Sequence, residues 1–383
     1  MFVSGQAERY GADRSLLSIA KGLILRGWEV TVSMPAGGPL ADDLIGAGAS
    51  IVMIDPGVFR RVNDAADWAR LMARTLPAGA RRVMAEARYH DLVHVNSLVI
   101  AGGLVGAVAS GKPVVCHLRE SFSGHRWQFS AYASLLKRLP VTIVAVSEAI
   151  AEEARSAGLG AKTVVVRNGI DFDDLHALPS GHERSRAVVS VGRINDWKGH
   201  DVLARAVSIL RSRGIVVPVL VAGDVFPGGE HHRARLESLI NTLHLDDQVK
   251  LLGFVDDVSP LLANHTIFVL ASVRPEPFGL ALVEAMAAGM ACIATRAGGP
   301  REIIEDGVTG LLVEPGDPSA LADAIGRLWR DDSLRKRLGE AALRRARELF
   351  GTEREVEAIE SLYESLLERA LRKRLRSRVA PGC

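Results

Sequence analysis

The chain has 383 residues, 48% apolar and 24% charged, with a net charge of +2. This is ordinary globular composition, long enough for two domains of roughly 150 to 200 residues each. It excludes disordered and collagen-like classes and gives no general case for nucleic-acid binding.

Three cysteines, Cys116, Cys292 and Cys383, are scattered without metal-ligand spacing. No disulfide framework is indicated, and a reducing, cytoplasmic setting is expected. The longest apolar stretch, 98–109, is interrupted by glycine and falls short of the roughly 20 residues a bilayer crossing needs. No signal peptide is recognised, so any membrane contact is expected to be peripheral, on the inner face.

Residues 1–5 read as a strand that starts in its middle, so either the strand is clipped or the true start lies upstream. A loop from Gly5 to Gly11 leads into a helix over 12–26, where Leu16, Leu17, Ile19, Ala20, Leu23 and Ile24 recur at helical spacing. Gly27 closes it and 29–34 is the next strand, which makes a βαβ unit. The glycine loop lacks the G-x-G-x-x-G pattern and signals only a close backbone approach. Further units follow: helix 40–46, strand 50–54, a helical region 64–88 expected to break near Pro77, strand 91–95, a segment 97–110, strand 113–117, segment 121–139, strand 141–146, a helix capped by Ser147, and strand 163–166.

Residues 167–186 lack apolar periodicity and contain Pro179, Ser180 and Gly181, which suits a linker. A second series then runs through strands 187–191, 216–222, 249–252, 266–271, 291–295 and 310–313 with helices between them. From Pro318 the sequence is helical, and its last helix, from 352 to about 376, is long enough to cross back over the first domain. The expected organisation is thus α/β: a first domain over 1–170, a linker over 171–186, a second domain over 187–350, and a closing helix with a basic tail over 351–383. Two doubly wound, Rossmann-like domains joined by one linker imply a cleft, with ligands at the C-terminal strand ends. The tail, Leu371-Arg372-Lys373-Arg374-Leu375-Arg376-Ser377-Arg378, suits either an anionic membrane surface or a solvated helix end.

Three strand ends of the second domain offer groups suited to a diphosphate. Arg193 and Lys198 flank a helix start. Gly298-Gly299 leave backbone free to approach an anion. In Pro275-Glu276-Pro277-Phe278-Gly279-Leu280, followed by Glu284, one carboxylate sits in the turn and the other about 7 Å further along a helix. Alone, Glu276 and Glu284 would read as solvated; the convergence argues for a diphosphate-sugar site. Asp171-Phe172-Asp173 spells the D-x-D triplet of metal-dependent transferases, but aspartates are common turn residues.

These segments resemble the glycosyltransferase family 4-type enzymes of GT-B architecture. The matching residues are Val191-Gly192-Arg193 with Lys198-Gly199, Leu252-Gly253-Phe254-Val255, Glu276-Pro277-Phe278-Gly279-Leu280 with Glu284-Ala285, Gly298-Gly299 to Gly310-Leu311-Leu312-Val313, Asn168-Gly169-Ile170-Asp171, and Gly11-Ala12-Asp13. The resemblance covers nearly the whole chain, strongly in the second domain and loosely in the first.

It implies a retaining, metal-independent hexosyltransferase of the polysaccharide-biosynthesis type, with UDP-sugar or GDP-sugar as donor. The acceptor would be a hydroxyl of a glycan, lipid-linked or small-molecule compound, chosen by first-domain loops such as 119–128. Arg193 and Lys198 would hold the diphosphate, Glu276 the donor-sugar hydroxyls and Glu284 the ribose. Phe278, Gly279 and Leu280 would contact sugar and phosphate through their backbone, Val255 the base, and Gly11 would form the first-domain glycine loop. His117 matches the histidine beside the reacting carbon. No metal or cofactor is implied. A sugar-nucleotide epimerase on the same fold would need acid/base groups that the sequence does not assign. A non-catalytic sugar-nucleotide-binding relative is the third reading. Pro275 and Pro277 stiffen the Glu276 loop, where the family often has a small residue after the glutamate, a departure that bears on sugar identity.

Overall fold

Strands such as Val141–Ala145 and Ala291–Thr295 carry no polar face, which suits a parallel sheet covered by helices on both sides. The computed structural model describes residues 1–8, 11–58, 66, 70–121, 126–173, 184–226 and 228–379. It divides into two units, Met1–Gly169 with Thr352–Cys383, and Ile170–Gly351.

In the first unit, β1 (Phe2–Val3), β2 (Thr31–Met34), β3 (Ser50–Met53), β4 (Val93–Val95), β5 (Val114–Leu118), β6 (Val141–Ala145) and β7 (Thr163–Val165) form one sheet in the order β3-β2-β1-β4-β5-β6-β7. All its pairings are parallel. Helix Gly11–Leu25 buries Leu16, Ile19 and Leu23 in the same core as Val356, Ile359 and Tyr363 of the closing helix, Thr352–Val379. The last helix therefore packs as part of the first unit. Ser147 caps helix Glu148–Ser156, its Oγ accepting from Ile150 N at 3.1 Å.

Near the expected break at Pro77, a π-helical turn, Leu71–Thr75, gives way to α-helix Leu76–Ala87. The chain stays helical there while its hydrogen-bond register changes, as a proline lacking an N–H favours. The parts of the expected glycine loop, 64–88 helix, acceptor loop, linker and tail that fall on 9–10, 64–65, 67–69, 122–125, 174–183 and 380–383 lie outside the described residues, as does Cys383.

In the second unit, β8 (Ser185–Val191), β9 (Val219–Ala222), β10 (Val249–Gly253), β11 (His265–Leu270), β12 (Ala291–Thr295) and β13 (Leu311–Val313) form a sheet in the order β10-β9-β8-β11-β12-β13. Its pairings too are parallel. Helix His200–Ser212 buries Leu203, Ala206, Val207 and Leu210 at helical spacing. Strand order reverses between β1 and β4 in the first sheet and between β8 and β11 in the second. Such reversals open a crevice beyond the C-terminal strand ends, where doubly wound proteins bind ligands.

Candidate active site

At the second unit's reversal, the loop after β8 lies against the end of β11. Asn195 Oδ1 accepts from the backbone N–H groups of Trp197 (3.1 Å) and Lys198 (3.0 Å), a turn that aims Lys198. Trp197 O accepts from Val273 N at 2.7 Å. Gly199 has φ +70°, and a Cβ there would lie 1.9 Å from Ala271 O, so only glycine allows this approach. Gly199→Ala is expected to lower unfolding stability by about 3 kcal/mol, measured by urea denaturation. An unchanged midpoint would mean the loop does not need this close contact.

The contact brings Lys198 to Glu276. Lys198 Nζ donates to both carboxylate oxygens, at 3.0 and 2.9 Å, and lies 4.4 Å from the centre of the Trp197 ring. Ser272 Oγ donates to Glu276 Oε2 at 2.8 Å, and Thr295 Oγ1 holds Ser272 O at 2.7 Å. The paired side chains are only 14% and 8% exposed. Glu276 is thus held by three hydrogen bonds rather than solvated. Ser272 and Thr295 carry no sequence signal for this role, being small residues at strand ends.

Gly298 and Gly299 have a structural use beside the backbone access expected of them. Glu276 N donates to Ala297 O (3.2 Å), and Gly299 N donates to Glu276 O (2.8 Å). A Cβ on Gly298 would lie 2.1 Å from Glu276 O, and one on Gly299 2.3 Å from Phe278 O. The glycine pair therefore makes room for the Glu276 loop itself.

Gly279 caps helix Leu280–Ala287, which carries Glu284 at 4% exposure. Neither glutamate is the solvated surface residue that spacing alone suggested. The Phe278 side chain is buried edge-on against Phe350, with ring centroids 5.8 Å apart, leaving its backbone as the part at the loop. The Arg193 guanidinium stacks 4.2 Å from the Phe226 ring. His200 Nε2 lies 3.2 Å from Gly192 O, and burial lowers its pKa to about 4, so it is neutral at pH 7. Val255 is half-buried beyond β10. Asp171 Oδ1 accepts from Asp173 N at 3.0 Å, the aspartate turn that the D-x-D triplet admits. Among the described residues no three His, Cys, Asp or Glu side chains gather as a metal set.

In the first unit, Gly11 opens helix Gly11–Leu25, while His117 is fully buried on β5. Its Nδ1 lies 3.2 Å from His94 Nε2, and His94 Nδ1 lies 2.5 Å from Tyr363 Oη. Burial, reinforced by Arg119, holds both imidazoles well below the usual histidine range. His117 Nε2 has no hydrogen-bond partner among the described residues.

Two positions on, Arg119 sits just past the end of β5. Its Nε donates to Asn96 O and Oδ1, both at 3.1 Å. Its Nη1 donates to Ser15 Oγ (3.0 Å) and Asn168 Oδ1 (3.1 Å). Glu355 closes this network, accepting from Ser15 Oγ and Gly169 N at 2.8 Å each. Sequence reasoning singled out neither Arg119 nor Glu355 as part of a buried network. The structure brings Lys198 together with Glu276, places Phe278, Gly279, Leu280 and Glu284 on the adjoining turn and helix, and sets Gly11 and His117 in the other unit.

Comparison with known proteins gives the site a context. The family model described as "Glycosyl transferases group 1" matches residues 175–345, and "Glycosyltransferase Family 4" matches 10–174. The lipopolysaccharide core biosynthesis mannosyltransferase LpcC of Rhizobium leguminosarum is 32% identical over 245 residues, covering 62% of this chain and 68% of that protein. N-acetyl-alpha-D-glucosaminyl L-malate synthase of Bacillus anthracis is 42% identical over 125 residues, so the match spans 32% of that protein's length. Among solved structures, HepE of Anabaena in complex with UDP and glucose aligns with a TM-score of 0.82 at 25% identity, covering 95% of this chain and 98% of that one.

Proposed function

Because the chain belongs to the family 4-type glycosyltransferases of GT-B fold, we propose that it is a retaining, metal-independent transferase. It would move a sugar from UDP or GDP to a hydroxyl of a glycan, lipid-linked or small-molecule acceptor. The Lys198–Glu276 pair carries this reading. A diphosphate sugar presents anionic oxygens for the ammonium and hydroxyls for the carboxylate, so one ligand can satisfy both members of the pair. The complex of HepE with UDP and glucose supports a donor of this class.

In this reading Arg193 and Lys198 bind the diphosphate. Negative charge grows on it as the glycosidic bond breaks, and fixed cations favour that transition state. Glu276 holds donor-sugar hydroxyls, Glu284 the ribose hydroxyls, and the backbone of Val255 meets the base. Phe278, Gly279 and Leu280 contribute backbone contacts. The acceptor oxygen bonds to the anomeric carbon on the face from which the diphosphate leaves, and its proton passes to a phosphate oxygen. Glu276, already accepting three hydrogen bonds, is a poor nucleophile, which agrees with a path that needs no glycosyl-enzyme carboxylate.

A thermal-shift panel of UDP, GDP and ADP with their sugars identifies the donor, since a ligand that binds only the folded state raises the melting temperature. Transfer is then followed by NMR. The product is expected to keep the donor's anomeric configuration, and the rate to be unchanged by EDTA. An inverted product, or activity lost to EDTA and restored by a divalent cation, would overturn the mechanism. Conversion of the donor to an epimer without acceptor would instead establish the epimerase reading, which the named relatives do not favour.

A further inference from the structure

The closing helix, Thr352–Val379, extends beyond the unit it packs on. Val356, Ile359 and Tyr363 are buried, and Leu362, Leu366 and Leu367 rest against the same core. From Leu371 to Arg376 every residue is exposed, on all faces of the helix. Leu367, Leu371 and Leu375 recur every four residues and so lie in one row. The row starts on the core and continues past it, leaving Leu371 and Leu375 59% and 53% exposed. At about 100° per residue, Arg372 and Arg376 flank this row on one side, Arg374 on the other, and Lys373 lies opposite. No acidic residue occurs between Leu371 and Arg376. Arg372 and Glu368 approach to 3.5 Å, but both are largely exposed, so their attraction is weak.

We propose that this projecting helix end is a docking arm for an anionic lipid bilayer. Leu371 and Leu375 enter the interface, while Arg372, Lys373, Arg374 and Arg376 meet headgroup phosphates. An amphipathic helix with basic flanks lies along a membrane surface in this way. A second copy of the chain fits less well. Four cations within six residues would repel their counterparts, and six residues offer far less than the roughly 800 Å² per partner of a stable interface. No described helix is long and apolar enough to cross a membrane, so the contact is peripheral. This inference does not rest on the transferase reading.

The test is co-sedimentation of the full chain with phosphatidylcholine vesicles, with and without phosphatidylglycerol. Two variants, Arg372→Gln/Lys373→Gln/Arg374→Gln/Arg376→Gln and Leu371→Ser/Leu375→Ser, are run in parallel, with circular dichroism and melting temperature confirming their fold. The chain is expected to sediment only with phosphatidylglycerol, and salt to release it. The charge variant should bind on the order of 10²–10³-fold more weakly, at about fivefold per cation removed, and the leucine variant should also lose binding. Absence of binding to phosphatidylglycerol, or undiminished binding by both variants, would overturn the proposal. So would a dimer on gel filtration that the leucine variant abolishes.

Discussion

Replacing Lys198 by alanine is expected to lower kcat/KM by about 10²–10³-fold, or about 3–4 kcal/mol of transition-state stabilisation. The affinity for free UDP or GDP, measured by calorimetry, should fall with it if the ammonium serves the diphosphate as proposed. Glu276→Gln is expected to behave differently. It keeps the shape at the sugar hydroxyls but removes the charge, so nucleoside diphosphate affinity should stay near the parent value while turnover of the sugar donor drops. Stability provides an independent check. Either truncation leaves its partner in a largely buried position without its counter-charge, and removing one member of such a pair costs more than removing both. The double variant Lys198→Ala/Glu276→Ala should therefore be less destabilised than the sum of the single ones. Turnover at the parent rate in both Lys198→Ala and Glu276→Ala would remove the pair from the catalytic site.

The first unit should grow less stable as pH rises through the range where Glu355 ionises. Burial raises the Glu355 pKa from 4.5 to about 7, against the opposing pull of Arg119, Gly169 N and Ser15. The folded state therefore holds this proton between about pH 4.5 and about pH 7, while the unfolded chain has released it. Stability contributed at this site declines as pH rises across that window and is level above it. A displacement of this size corresponds to about 3 kcal/mol. Glu355→Gln removes the ionisation while retaining an amide that can still accept from Gly169 N. Relative to the parent, the variant should gain stability between about pH 5 and about pH 8, by several degrees in melting temperature at about 2–4 °C per kcal/mol for a unit of this size. Scanning calorimetry of both full chains at the two pH values measures this, and the difference cancels carboxylates common to both. A parent-to-variant difference that does not change with pH would show that Glu355 is not desolvated.

Local pattern carried much of this protein's architecture. Continuous apolar strands alternating with helix-period segments required two parallel, doubly wound sheets, because such strands must be covered on both faces. The short segments around Arg193, Lys198, Glu276 and Glu284 were legible as candidate ligand groups because each stands near a strand end or helix start, where backbone geometry confines what a side chain can reach.

Partnership was not legible. Lys198 and Glu276 are 78 positions apart, and only the β8–β11 pairing, with the close approach at Gly199, brings them within hydrogen-bonding distance. Gly298-Gly299 read as open backbone for an anion, and no sequence signal showed that the fold also uses the missing side chains to pass the Glu276 loop. Pro77 read as a break, and the structure meets it with a change from π-helical to α-helical turn beside it, the chain staying helical. Glu355 and Arg119 have the same local sequence signature whether exposed or buried, and their role follows from the closing helix packing on the first unit. By itself, then, the sequence determined the periodicity of the elements and the chemistry available at their ends. Tertiary structure alone decided which charges lose their water and meet, because burial and pairing depend on contacts between segments that are remote along the chain.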